Sequence, residues 1–116
     1  MTPFSRRLRE LRRSRAIRQA DLARLLGYEQ SYVSALELGI KGPPTPAFMD
    51  RLDQVLQLTE AERGEVREAA RASQRKLVIG TDAPVEVFWL MDRLRQELAQ
   101  LHPEQIKLID GVLRMR

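Results

Sequence analysis

The chain has 116 residues, enough for one compact domain with an appendage and too few for a large multidomain enzyme. It holds no cysteine and one histidine, His102, so a disulfide framework and a thiolate metal site are excluded, and zinc or histidine catalysis is poorly supplied. The net charge is +4, charges interrupt every stretch before it reaches the roughly 18 apolar residues of a membrane span, and the N-terminal residues lack the apolar centre of a secretory signal. A reducing, cytoplasmic setting is expected, with no metal, no cofactor and no membrane partner.

The basic excess is local. Residues 1–44 carry nine Lys/Arg against four Asp/Glu, residues 45–72 four against six, and residues 73–116 seven against six. A basic first third suits a phosphate-bearing partner, and a solvated arginine-rich helix has the same composition.

Hydrophobic spacing predicts helix almost throughout, with proline and glycine setting the breaks. Phe4, Leu8 and Leu11 recur at i, i+4 and i+7, and Pro3 suits a first turn, so a helix is expected from about Pro3 to Ser14. Arg6, Arg7, Arg9, Arg12, Arg13 and Arg15 cover its other faces. A second helix, Gln19 to Leu26, carries Leu22, Ala23 and Leu26 on one side and stops at Gly27. A third, Gln30 to Leu38, turns Val33 and Leu36 inward and stops at Gly39. The proline-rich stretch from Lys41 to Pro46 must be a loop. Phe48, Leu52, Val55 and Leu56 mark a fourth helix, and the capping-box pair Thr59 and Glu62 starts a fifth at Glu60 that reaches the low seventies.

Residues 76–83 interrupt the helical pattern as an extended linker or a short strand. Two helices follow, from about Pro84 to Leu101 and from Pro103 to about Met115. In the first, Val87, Met91, Leu94, Leu98 and Leu101 recur at spacings of 4, 3, 4 and 3, a heptad seam widened by Phe88, Trp89 and Leu90. Ile106, Ile109 and Leu113 form the apolar face of the second. The fold expected is all-α: a five-helix domain over residues 1–75, a linker over 76–83 and a two-helix extension over 84–116.

The second and third helices meet the steric demands of a helix-turn-helix, whose second helix can enter a DNA major groove. Close crossing needs a small residue in the first helix, the turn favours glycine, and a branched apolar residue in the second helix locks the crossing. Counting from Gln19, Ala23 stands fifth, Gly27 ninth and Val33 fifteenth, with Leu22, Leu26, Tyr28 and Leu36 filling the other apolar positions. The stretch Gln19-Ala20-Asp21-Leu22-Ala23-Arg24-Leu25-Leu26-Gly27-Tyr28-Glu29-Gln30-Ser31-Tyr32-Val33-Ser34-Ala35-Leu36-Glu37-Leu38-Gly39 resembles the xenobiotic-response-element family of phage-repressor-like (lambda-repressor-like) regulators. Upstream, Leu8-Arg9-Glu10-Leu11-Arg12 is similar to that family's first helix, and the resemblance runs from residue 4 to about residue 58.

The resemblance implies roles for individual residues. Gln19, opening the second helix, would hold a backbone phosphate, as would Lys41 in the loop after the third. Gln30, Ser31 and Ala35 would face base edges, with Ser34 beside them. Arg12 and Glu37 would form an ion pair tying the first helix to the end of the recognition helix, and Arg12 is counted among the phosphate contacts as well. Two residues depart from the family pattern. Arg18 stands where a capping Ser or Thr is usual, and is read as a phosphate contact. Glu29 replaces a small polar residue at the start of the recognition helix, where it serves the helix dipole or accepts from cytosine N4. Tyr32 is read as packing, as a phosphate contact or as a base reader. Chemistry supports the scheme independently, since a glutamine amide matches adenine N6 and N7, and exposed helix N-terminal amides favour phosphate oxygens.

No enzymatic constellation stands out. His102 before Pro103 reads as a cap or a solvent-facing residue, and no serine follows Ser73 to supply a self-cleaving domain. The function expected is sequence-specific binding of double-stranded DNA by a homodimeric repressor of an inverted-repeat operator. Val87, Phe88, Trp89, Met91, Leu94, Leu98, Ile106 and Ile109 would then form the dimer interface. Three alternatives stay open: helices that fold back to complete a monomer core, an antitoxin-like or scaffold protein whose C-terminal helices bind a different protein, and a protein-binding module without DNA contact.

Overall fold

The computed structural model describes residues 1–116 and is all-helical, with seven α-helices and no strand. These are α1 Pro3–Ser14, α2 Gln19–Leu26, α3 Gln30–Leu38, α4 Pro46–Leu56, α5 Glu60–Ala72, α6 Val85–Glu97 and α7 Pro103–Leu113, with a 3-10 turn at Leu98–Gln100. The chain divides into two compact units, Met1–Leu77 and Val78–Arg116. No helix is long and apolar enough to cross a membrane.

In the first unit local sequence sets the helix ends. The Thr2 hydroxyl accepts from the Ser5 N–H at 3.0 Å while the Ser5 hydroxyl accepts from the Thr2 N–H at 2.8 Å, so two orphan donors of α1 are satisfied reciprocally. Thr59 and Glu62 repeat the device at the start of α5, with bonds of 3.0 and 3.1 Å. Gly39 ends α3 at φ 77°, where a Cβ would stand 3.1 Å from the Met1 Cα. Both the left-handed backbone and the close approach of the N-terminus therefore require glycine there.

The five helices enclose one core. Phe4, Leu8 and Leu11 of α1 meet Leu22, Ala23 and Leu26 of α2, Val33 and Leu36 of α3, Phe48, Leu52 and Leu56 of α4, Leu58, and Val66 of α5. Phe48 is central: it lies edge-on to Phe4 at 6.3 Å and to Tyr32 at 6.0 Å, and tilted against Tyr28 at 5.3 Å. Helix α1 packs on α3 and α5, and α2 packs on α3 and α4. Salt bridges hold the periphery. Arg15 grips Glu62 with two nitrogens at 2.9 and 2.7 Å, and Arg63 holds Asp53 at 2.8 Å.

A long-range tether closes the unit. The Ser73 hydroxyl accepts from the Phe4 N–H at 2.9 Å and donates to the Ala69 carbonyl at 2.6 Å, joining the end of α5 to the start of α1. Ala16, in the turn between α1 and α2, takes the left-handed conformation at φ 54°, which a Cβ disfavours.

Residues 76–80 form neither helix nor strand, so of the two expectations for this segment the short strand is not found. In the second unit α6 stops at Glu97, short of the expected Leu101. Pro103 drives His102 into an extended conformation, and the preceding residues tighten into a 3-10 turn before Leu101 extends. The seam is accordingly α-helical through Leu94, while Leu98 sits in the 3-10 turn and Leu101 on extended backbone. The exposed His102 serves as the N-cap position of α7, and the Gln105 side chain accepts its backbone N–H at 2.8 Å.

The Arg15 guanidinium, followed by the Thr59 N–H, lowers the Glu62 carboxyl from 4.5 to about 2. Because the carboxylate is favoured in the folded state, its contribution is complete above about pH 4.5 and is lost as pH falls toward 2. Thermal midpoints measured across that window should fall more steeply for the parent chain than for Glu62→Gln, which starts lower at neutral pH.

Candidate nucleic-acid interface

Helices α2 and α3 meet through Gly27, which takes φ 81° and ends α2. The Tyr28 N–H returns to the Ala23 carbonyl at 2.9 Å and the Gly27 N–H to Arg24 at 3.2 Å, closing the last turn of α2. Arg51 of α4 donates from Nε to the Leu26 carbonyl at 2.6 Å, satisfying another orphan acceptor. Ala23 is buried where the helices cross, and Val33 and Leu36 are wholly enclosed on the inner face of α3.

The outer side of α3 is organised from a buried charge. Glu37 is 1% exposed. Its carboxylate accepts from Arg12 Nε at 2.7 Å and from Arg12 Nη2 at 2.9 Å, a bidentate pair between α1 and α3. Arg12 Nη1 donates to the Ile17 carbonyl at 2.9 Å, fixing the α1–α2 turn as well. The pairing with Glu37 raises the Arg12 pKa further against the cost of burial. With its nitrogens so engaged, Arg12 acts as a strut within the fold, and of its two expected roles the geometry supports the ion pair.

Gln19 extends this arrangement outward. Its Nε2 donates to Glu37 Oε1 at 3.4 Å and its Oε1 accepts from Gln30 Nε2 at 3.5 Å, both at the long end of hydrogen bonding. A carboxylate only accepts, so the Gln19 NH2 must face Glu37 and its oxygen must face Gln30. Gln30 is thereby oriented, with its Oε1 and one N–H left toward solvent. Gln30 and Glu37 are seven residues apart, two helical turns, and share one face of α3.

Around this line the other predicted residues fall as follows. Glu29 and Ser31 are exposed, while Ser34 and Ala35 are half-buried. Neither Arg18 nor Glu29, the N-cap residues of α2 and α3, caps its helix with a side chain. Arg18 instead reaches Asp21 at 3.3 Å, and Arg24 shares that carboxylate at 3.1 Å. Tyr32 stacks on Tyr28 at 5.1 Å, and burial, with Tyr28 beside it, pushes its phenol pKa upward. Lys41 Nζ lies 5.7 Å from the Tyr32 ring centroid, a cation–π distance.

Several contacts are missing from the sequence reading. Arg9 donates to the Glu37 carbonyl at 3.3 Å, and Arg75 donates to the Gly39 carbonyl, so two further arginines close the C-terminal end of α3. Arg51 and Ser73 likewise join elements distant in sequence. No spacing rule announces these partners, although orphan carbonyls at each helix end make such donors necessary.

The chain belongs to the helix-turn-helix domain family, whose model matches residues 3–66. It is similar to the uncharacterized HTH-type transcriptional regulator RghRB of Bacillus subtilis (strain 168), with 34% identity over 85 residues, covering 64% of this chain and 61% of that protein. The chain thus spans about 61% of the length of this curated relative. No solved structure matches the chain.

Glu37→Ala leaves Arg12 facing an empty, largely enclosed site. Denaturant unfolding should register a loss of ~3–5 kcal/mol, the usual cost of stripping a buried charge of its partner.

Proposed function

We propose that this chain is a sequence-specific DNA-binding transcriptional regulator of the xenobiotic-response-element type, acting in the cytoplasm as a homodimeric repressor of an inverted-repeat operator. The observation that carries this reading is the line from Arg12 through Glu37 and Gln19 to Gln30, which orients an exposed amide at the start of α3. Its free Oε1 and N–H are the acceptor and donor that adenine N6 and N7 require. Ser31 and Ser34 add permissive hydroxyls, Ala35 a methyl suited to thymine, and Glu29 an acceptor for cytosine N4. Gln19, Arg18 and Lys41 surround these base readers as phosphate contacts, and the uncapped N-termini of α2 and α3 favour the same anions. Tyr32 supports Lys41 from beneath and meets the backbone at its phenol edge.

Residues 1–75 would form the DNA-binding domain, 76–83 a linker and 84–116 a dimerisation extension. Support for the extension's role comes from its own packing, because no residue from Val78 to Arg116 is buried. Phe88 is 47% exposed and Trp89 71%, a large apolar surface for a helix pair. A second copy covering Val87, Phe88, Trp89, Met91, Leu94, Leu98, Ile106 and Ile109 would pair two recognition helices, suited to half-sites about 34 Å apart. The dimer would then cover a promoter and exclude polymerase.

Fluorescence anisotropy with DNA from upstream of the chain's own gene, against a scrambled duplex, tests the DNA reading. Gln30→Ala should cost ~1–3 kcal/mol on the operator and little on the scrambled duplex. Equal affinity of parent and variant for both duplexes would refute base reading by Gln30. For the extension, sedimentation should give a dimeric parent and a monomeric Trp89→Glu. A parent chain that is monomeric at high concentration would overturn the dimer in favour of helices that complete a monomer core or bind a different protein, the antitoxin-like alternative.

A further inference from the structure

The six arginines of α1 and its C-cap divide into two sets. Arg7 pairs with Glu10 at 3.2 Å and Glu65 at 2.5 Å, Arg12 with Glu37, and Arg15 with Glu62, so these three serve the fold. Arg6 and Arg13 are exposed and make no ion pair or side-chain hydrogen bond, while Arg9 has a divided role: its Nη2 donates to the Glu37 carbonyl at 3.3 Å and its Nε lies 3.9 Å from the Glu37 carboxylate, which leaves Nη1 without a partner. At i, i+3 and i+7 the three share one side of α1, a stripe about 10 Å long at 1.5 Å rise per residue. With Met1 and Glu10 they line an open hollow of about 320 Å³. Glu10, the carboxylate there, is engaged by Arg7. Like charges at these spacings weaken a helix, and of the three only Arg13, in the last turn, is favoured by the helix dipole.

Its position does suggest a partner. Arg9 touches Glu37, the residue that also receives the Gln19 amide. The Arg13 carbonyl accepts the Ala16 N–H at 3.0 Å, opening the turn that leads to Arg18 and Gln19 at the start of α2. Along the chain the stripe thus ends where α1 gives way to the turn before α2, whose first residues Arg18 and Gln19 are the phosphate contacts proposed above. We infer that Arg6, Arg9 and Arg13 form a second backbone clamp, gripping phosphates of one strand of the duplex beyond the bases that α3 reads. The inference rests on the DNA-binding reading above and extends its footprint along the flanking DNA. The long side chains of the stripe can reach phosphates of neighbouring nucleotides, and guanidinium forks suit phosphate oxygens. Such contacts add affinity without sequence preference.

The test is the slope of log affinity against log salt, measured with the full chain on mixed-sequence and operator duplexes. Each neutralised phosphate contributes about 0.9 to that slope on duplex DNA. Arg6→Gln/Arg13→Gln should make it shallower by about 1.8 on both duplexes, leave the operator-to-mixed affinity ratio unchanged, and keep the parent's thermal midpoint. Arg6→Lys/Arg13→Lys should restore the slope. Arg67→Gln/Arg71→Gln on α5, which removes the same charge elsewhere, should leave it as in the parent. A parental slope in the α1 glutamine variant, or an equal loss in the α5 variant, overturns the clamp while the DNA reading stands. Absence of salt-dependent binding by the parent chain to either duplex overturns both.

Discussion

A carboxylate with almost no access to water needs partners on every side, and Glu37 finds them on two other helices. Arg12 of α1 neutralises it bidentately, Gln19 of α2 donates an amide hydrogen, and Arg9 of α1 takes the carbonyl of the same residue. Removing Arg12 or Gln19 leaves part of a buried charge unanswered, so the three helices are held at one mutual setting. The same requirement reaches the surface by hydrogen-bond polarity. Because Glu37 can only accept, Gln19 presents its oxygen to Gln30, whose amide lies exposed at the start of α3. A stability constraint inside the domain thus becomes an orientation at its surface.

The opposite side of α3 is braced by apolar packing. Phe48 stands between Phe4, Tyr28 and Tyr32, and the stacked tyrosines carry Lys41 above them. The recognition helix is therefore gripped by a charge network along one edge and an aromatic cluster along the other. Its C-terminal carbonyls are closed by Arg9 and Arg75, and the start of α1 is closed by Ser73. Such preorganisation lowers the ordering cost of binding a rigid partner.

The two units differ in how they meet their apolar requirement. Met1–Leu77 encloses a core of large apolar side chains drawn from all five of its helices. Val78–Arg116 presents Phe88, Trp89 and Leu90 to solvent, with two helices too few to enclose them. The proposed dimer would supply the missing cover, and its role differs in kind from the closed arrangement of the first unit.

Helix periodicity, glycine and proline stops and capping pairs are local, and α1, α2 and α3 accordingly run between the residues their spacing predicts. The helix-turn-helix was legible for the same reason, since Ala23, Gly27 and Val33 satisfy steric demands at fixed offsets within one short segment. The end of α6 was not, because the heptad spacing runs on through Leu101 whereas Pro103 alters the backbone ahead of it. Residue type also placed Gln19 and Gln30 in the candidate interface, but only the fold sets which way their amides point. Arginine offers the plainest contrast. By itself the sequence determined a basic first helix, and tertiary structure decided which arginines became struts and which remained available. That division depends on where Glu37, Glu62 and Glu65 arrive in space, and a charge has no partner until the chain folds to bring one within a few ångströms.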